Sequence, residues 1–319
     1  MGDERARLMV LYLPNDVLEA MEIAPPDIAD AIEAALIDKA EGRLHVSPKS
    51  ALLPGGGRYM MSTLAVGDVT VVKQVTVSPE NPAKGLPAIN GAIMVLDAET
   101  GLLRALMGAN WITAHRTAAL SAVAARRLAD PASTTIAFVG CGVQAQSHFK
   151  ALAGPFPLTK ALAVGRSQST VDGFLDHVRS LGLEAEQASA EDALRQADIV
   201  VTSITLNYET PPFLSASWLK PDAFAAITDL CIPWRDEEMG RFGTIVVDDL
   251  EQERASDTPM VAPERISGDL TDLVMGKVGT RETGKPAAFA FRGIALGDYA
   301  AAALVLKHAE ETGAGQRIA

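Results

Sequence analysis

The sequence predicts an α/β protein: a doubly wound parallel sheet in the middle of the chain, preceded by an antiparallel or mixed sheet with helices beside it. Three observations carry this. Short β-prone runs alternate with helical runs from residue 134 to 247. A glycine-rich turn, Gly140-Cys141-Gly142-Val143-Gln144-Ala145, joins the first of those strands to the helix after it. Residues 59–107 instead read as successive hairpins with little helix between them.

Taken in order, Pro25-Pro26-Asp27 opens a helix in which Ile28, Ile32, Ala35 and Leu36 recur at helical spacing, and Glu41-Gly42 closes it. Strands 59–66 and 69–77 flank Gly67-Asp68, a dipeptide suited to a tight hairpin. Strands 92–96 and 102–107 flank the turn 97–101, and a helix follows over 113–128. Strand and helix then alternate: 134–139, 143–153, 161–164, 170–180, 198–203, 223–227 and 244–247. From about Ala287 a last zone carries the Ala-rich stretch 300–309, a closing helix able to return to the first region.

Composition narrows the function. The 319 residues suit one large or two ordinary domains, and 48% hydrophobic with 21% charged residues describes a soluble globular protein. A net charge of −12 argues against a nucleic-acid partner, which needs clustered Lys and Arg. Cys141, Cys231 and the scattered histidines give neither a disulfide framework nor a metal-ligand pattern, so no metal is expected. No apolar run is long enough to span a bilayer, and the acidic start Met-Gly-Asp-Glu-Arg lacks signal-peptide character, so a cytoplasmic protein without a membrane partner is expected.

The glycine turn has a physical reason at each small residue. Gly140 permits the tight turn, Gly142 lets backbone N–H groups approach a pyrophosphate, and Ala145 keeps helix and strand close. The helix N-terminus at Val143 and Gln144 then offers unpaired donors and a positive dipole end to phosphate. The next strand runs into Gly165-Arg166-Ser167, where an NAD site usually carries an acidic residue for the ribose 2′-hydroxyl. Arg166 and Ser167 suit a 2′-phosphate instead, which predicts NADP(H) as the preferred cofactor, with NAD(H) the other possibility.

Two basic residues stand out on the other side. Strand alternation puts Lys73 on one face with Val71 and Val75, either as an edge gatekeeper or as a partly buried amine of depressed pKa. Arg116 lies among small residues in Thr113-Ala114-His115-Arg116-Thr117-Ala118-Ala119, where it is either a surface residue or a bidentate clamp for a carboxylate.

The block Lys73…Pro79…Asn81…Gly85-Leu86-Pro87…Asp97…Thr100-Gly101…Asn110…Arg116-Thr117-Ala118-Ala119 resembles the ornithine cyclodeaminase/mu-crystallin family. The likeness continues through Val139 to Ala145, Ser147-His148 and 197–202, and ends with Phe289…Gly293…Ala295…Asp298. It implies a substrate-binding and dimerisation domain built from both chain ends, 1–112 with 288–319, and a Rossmann-type dinucleotide domain over 113–287. It also implies a homodimer, Lys73 as a catalytic residue at substrate and nicotinamide, Arg116 on the substrate carboxylate, and Thr117 with the Gly140 loop on the cofactor phosphates. The sequence departs from the family pattern twice. An early substrate arginine is replaced by Lys49, which keeps the charge but loses the fork. A catalytic aspartate after the strand 223–227 is matched only by Asp229, one position early. The leading expectation is an NAD(P)H-dependent oxidoreductase at the C–N bond of a small imino or amino acid bearing a carboxylate. A cyclodeaminase with catalytic bound NAD(+), and a non-catalytic NADP(H)-dependent ligand-binding protein, are the alternatives.

Overall fold

The computed structural model describes residues 9–319. The chain forms two compact units: one comprises the chain up to Arg116 together with Ile294–Ala319, the other Thr117–Gly293.

In the first unit, β1 (Val10–Leu13) is followed by helices α1 (Asn15–Ala20) and α2 (Pro25–Ala40). The strands β2 (His45–Val46), β3 (Ser50–Gly55), β4 (Arg58–Val66), β5 (Val69–Val77), β6 (Ile89–Asp97) and β7 (Leu103–Gly108) come next. The sheet order is β16-β1-β7-β6-β5-β4-β2, with β3 on β4 and β16 (Gln316–Ile318) supplied by the chain's end. It is mixed, because β1 lies parallel to β7 while the remaining pairs are antiparallel. Alternation in Val69–Val77 buries Val69, Val71, Lys73 and Val75 on one face. That face is covered by the Ala-rich helix near the C-terminus, against which α2 packs with Ile28, Ile32 and Leu36 buried. The hairpin turn at Gly67-Asp68 docks on that helix, Asp68 N–H donating to Tyr299 Oη at 3.0 Å.

In the second unit, β8 (Thr135–Val139), β9 (Lys160–Val164), β10 (Glu184–Gln187), β11 (Ile199–Thr202), β12 (Phe224–Ile227), β13 (Thr244–Val247), β14 (Gly268–Asp269) and β15 (Ala287–Ala290) form one sheet, ordered β10-β9-β8-β11-β12-β15-β13-β14. Every pairing is parallel, and the order reverses between β8 and β11, the arrangement of a doubly wound sheet. Helix α3 (Ala109–Leu128) begins in the first unit and continues into the second from Thr117, and α4 (Val143–Ala153), α5 (Gln168–Ser180), α6 (Ala190–Gln196), α7 (Leu250–Arg254) and α8 (Leu270–Val274) belong to the second unit. Apart from Thr135 at the start of β8, the central strands are wholly buried, as strands covered on both faces must be. Phe138, Phe149 and Phe174 meet edge to face under α4 and α5.

The chain returns to the first unit at Ile294, later than residue 288, because Ala287–Ala290 pairs with β12 and β13 in the second sheet. Helix α9 (Ala295–Thr312) then packs on α2, β4, β5 and β6. Helix α3 begins earlier than residue 113, at Ala109, because Asn15 Oδ1 accepts from Trp111 N–H at 3.0 Å and stands in for a local cap. Among the described residues, no helix is long and apolar enough to cross a membrane, and no His, Cys, Asp or Glu cluster could hold a metal ion.

Candidate active site

In the first unit four elements bring a cluster of charged groups together. Lys73 projects from β5, Thr63 from the paired position on β4, Arg116 from α3 and Asp298 from the first turn of α9. All four are buried, Lys73 at 3%, Arg116 at 5% and Asp298 at 1% exposure. Lys73 Nζ donates to Asp298 Oδ1 at 2.8 Å, Arg116 Nε lies 3.1 Å from the same oxygen, and Thr63 Oγ1 donates to Asp298 Oδ2 at 3.1 Å. This settles the two readings of Lys73: it is a buried amine and not an edge gatekeeper.

Burial lowers the Lys73 amine to about 8; the Asp298 charge opposes the fall, and the Arg116 and Lys49 charges add to it. Burial alone would raise the Asp298 carboxyl, but the Arg116 and Lys73 charges hold it below the usual carboxylate range. Lys49 is half-buried just before β3, its Nζ 5.9 Å from the Tyr59 ring centroid. Two cations meet one carboxylate in a desolvated place, where charge acts more strongly than in water.

The second unit holds the glycine turn. Gly140 has φ +94°, and a Cβ there would meet the Ser203 carbonyl oxygen at 2.6 Å, so only glycine serves. Gly140 N–H donates to Val164 O at 2.8 Å, tying the turn to the end of β9. Gly142 faces open space, and the first intrahelical bond of α4 is donated by Gln146 to Gly142 O. The amides of Val143, Gln144 and Ala145 precede that bond and point out of the helix start. Gln144 Oε1 is buried without a hydrogen-bond partner. An open cradle over Gly142 and orphan amides fit a dinucleotide pyrophosphate.

Arg166 and Ser167 are exposed at the end of β9, beside this turn. Ser167 begins α5 and shares hydroxyl contacts with Ser169 at 3.1 Å and Thr170 at 3.0 Å. Thr117 is buried on α3. His148, also buried, bridges α3 and α4: Nδ1–H donates to Gln144 O at 2.8 Å, so Nε2 accepts from Ser121 Oγ at 3.0 Å. Burial pushes His148 down to about 4.

Asp229, the second residue after β12, is wholly buried. Its Oδ1 accepts from Thr202 Oγ1 at 3.0 Å and its Oδ2 from Ile204 N–H at 3.1 Å. Trp234 Nε1 donates to the same threonine hydroxyl at 3.4 Å. Burial pushes the Asp229 carboxyl up to about 7, against the lowering effect of those hydrogen bonds. Leu230 and Cys231 both take φ +58°, left-handed backbone that costs about 1–3 kcal/mol per residue. The carboxylate therefore ties the loop after β11 to a strained turn after β12.

Asp298 and Thr63 received no role from the sequence. The usable signal was an aspartate within Ala295-Leu296-Gly297-Asp298-Tyr299-Ala300-Ala301-Ala302, a helix start otherwise suited to full burial. A charge in such surroundings needs a partner.

Comparison with known proteins finds relatives over most of the chain. Ketimine reductase mu-crystallin of Mus musculus is 29% identical, covering 76% of each chain. L-lysine cyclodeaminase of Streptomyces rapamycinicus is 31% identical over 80% of this chain and 76% of its own. The solved structure of an archaeal alanine dehydrogenase dimer with bound NAD superposes with a TM-score of 0.87 at 26% identity, covering 98% of this chain and 99% of that one. The sequence model of one family matches residues 9–313, and the chain belongs to it: the ornithine cyclodeaminase/mu-crystallin family.

Proposed function

We propose that this protein is an NAD(P)H-dependent oxidoreductase acting on the C–N bond of a small imino or amino acid. The observation that carries it is the buried Lys73–Asp298–Arg116 cluster, which sets a guanidinium beside an amine of pKa about 8. Arg116, with Lys49 beside the cluster, binds the substrate carboxylate. Lys73 polarises the nitrogen or carries its proton, because an amine near neutral pKa exists in both states at working pH. Thr117, Gly140, Gly142, Val143, Gln144 and Ala145 hold the dinucleotide, which when bound supplies or takes up the hydride. Asp229, with both oxygens engaged inside its own unit, serves by shaping the loops around it.

The test is a panel of cyclic and linear imino acids, and of amino acids in the reverse direction, followed by nicotinamide absorbance. Stoichiometric NAD(P)H oxidation by an imino acid is the expected result. Ammonia release from a diamino acid without net absorbance change would instead establish the cyclodeaminase reading, which the L-lysine cyclodeaminase relative favours.

Arg166 supports NADP(H) as the preferred cofactor. Arg166→Asp is expected to move the ratio of kcat/KM values for NADPH and NADH toward NADH by about 10- to 100-fold, the worth of one charge-assisted contact. An unchanged ratio sinks that preference.

A homodimer through the first unit's sheet completes the proposal. On the face opposite the helices, Leu64, Val72, Met94, Leu106 and Tyr12 lie in register across five adjacent strands. Leu64, Met94 and Tyr12 are about 40% exposed, an apolar row suited to a self-complementary partner. Light scattering should give twice the chain mass for the natural protein and the chain mass for Met94→Asp; a monomeric natural protein refutes the dimer.

A further inference from the structure

Asp298 invites a simpler explanation first. An acidic residue in the first turn of a helix is favoured by the helix dipole. That benefit is available to an exposed side chain, however, and does not account for a carboxylate at 1% exposure among Ala295, Leu296, Ala301 and Ala302. A desolvated carboxylate costs several kcal/mol unless it is paired, so its place follows from the groups it touches. Those come from three other elements: Lys73 of β5, Thr63 of β4 and Arg116 of α3.

We propose that Asp298 is the positioning residue of this site, fixing the Lys73 amine and the Arg116 guanidinium in one geometry so that both meet a single amino or imino acid. This rests on the function proposed above. Arg116 Nε lies 3.1 Å from Oδ1 as an ion pair without a hydrogen bond, so the carboxylate holds the guanidinium in place by charge. The bond from Lys73 Nζ to the same Oδ1 sets the distance between amine and guanidinium. Thr63, holding Oδ2, keeps the carboxylate from turning about its own axis. Without the anion, two buried cations would repel each other, and the amine would shed its proton at lower pH.

The charged groups facing Lys73 are Asp298 from α9, Arg116 from α3 and Lys49 from the segment before β3; Ile93, its neighbour on β6, is apolar. Only Asp298 favours the ammonium. Two substitutions separate charge from position. Asp298→Asn removes the charge and keeps the shape. The Lys73 inflection, read from its 13Cε shift in lysine-labelled protein and assigned with Lys73→Met, should fall by more than one pH unit. With it, kcat/KM should drop about 100-fold, divided between a higher KM for the acid and a lower kcat. Asp298→Glu keeps the charge and displaces it by one methylene. The inflection should then stay near pH 8 while kcat/KM still falls at least tenfold.

An unmoved Lys73 inflection in folded Asp298→Asn overturns the proposal, and so do natural kinetics in Asp298→Glu. Should Asp298→Asn not fold, Asp298→Glu decides on kinetics alone. Absence of turnover by the natural protein on every acid of the panel would count against the proposed function. The 13C titration would still decide for or against Asp298.

Discussion

Replacing Lys73 with methionine is expected to lower kcat/KM about 1,000-fold, within the range lost with a positioned acid–base group, while the thermal midpoint stays unchanged or rises. The two halves of this expectation come from one geometry. Methionine fills the stem's volume on β5, and Asp298 keeps Arg116 at 3.1 Å and Thr63 at 3.1 Å, so no buried charge is orphaned. Removing a desolvated ammonium also removes its solvation penalty, and replacing buried ions by apolar groups is often neutral or stabilising. Stability therefore does not need the amine. Chemistry does, because burial brings the Lys73 amine to about 8, where it can give up and regain a proton near neutral pH. Steady-state kinetics and a melting curve on the same preparation check both halves. A variant within fivefold of natural kcat/KM would leave Lys73 as a structural ion-pair partner. For the natural enzyme, activity requiring the ammonium should decline above pH about 8, where the amine deprotonates.

How much of this could be read from residues alone depended on whether the cause was local. The hairpin around Gly67-Asp68, the helix opened by Pro25, and the strand–turn–helix at Gly140 each have their determinants within a few residues, and each stands where it was expected. Elements fixed by distant partners were harder. Glu184–Gln187 is a polar edge strand held by backbone pairing to β9, so no apolar alternation marks it. Ala287–Ala290 looks like a helix former until β12 and β13 flank it. The start of α3 is capped by Asn15, far away along the chain.

The site divides the same way. Lys73 and Arg116 were visible as charges in apolar settings, but periodicity left each with two meanings. The choice came from Asp298, more than 180 residues from either in sequence, which converts both into a buried cluster. For Asp229 the sequence supplied a position and no environment. Its chemistry follows from what surrounds it, and that is open to a direct measurement.

Asp229→Asn should make the protein more stable than its natural form above pH 7, and should retain at least a tenth of natural kcat/KM. The folded carboxyl has been pushed to about 7, whereas in the unfolded chain it titrates near the ordinary value of about 3.9. Between those pH values the native state holds a proton that the unfolded state has shed. Stability from this group is therefore full below pH about 4, falls as pH rises toward 7, and stays low beyond. A shift of about three units corresponds to about 4 kcal/mol at most. His148 works the other way in much of the same window. Its folded pKa of about 4 lies below the ordinary 6.5, so the unfolded state binds the extra proton and stability rises with pH. The net curve of the natural protein can thus be nearly flat, and only the difference between variant and natural protein isolates Asp229. Asparagine can take its place in the network, with Oδ1 accepting from Ile204 N–H and Nδ2 donating to Thr202 Oγ1 once that hydroxyl turns. The variant should then gain stability relative to the natural protein steadily from pH 5 to 7.5 in denaturant titrations. A flat difference would mean that Asp229 is ionised throughout. Activity decides its role separately: a loss beyond 100-fold would make Asp229 part of the chemistry, as the cyclodeaminase reading requires, whereas retained turnover leaves it holding the strained turn at Leu230 and Cys231.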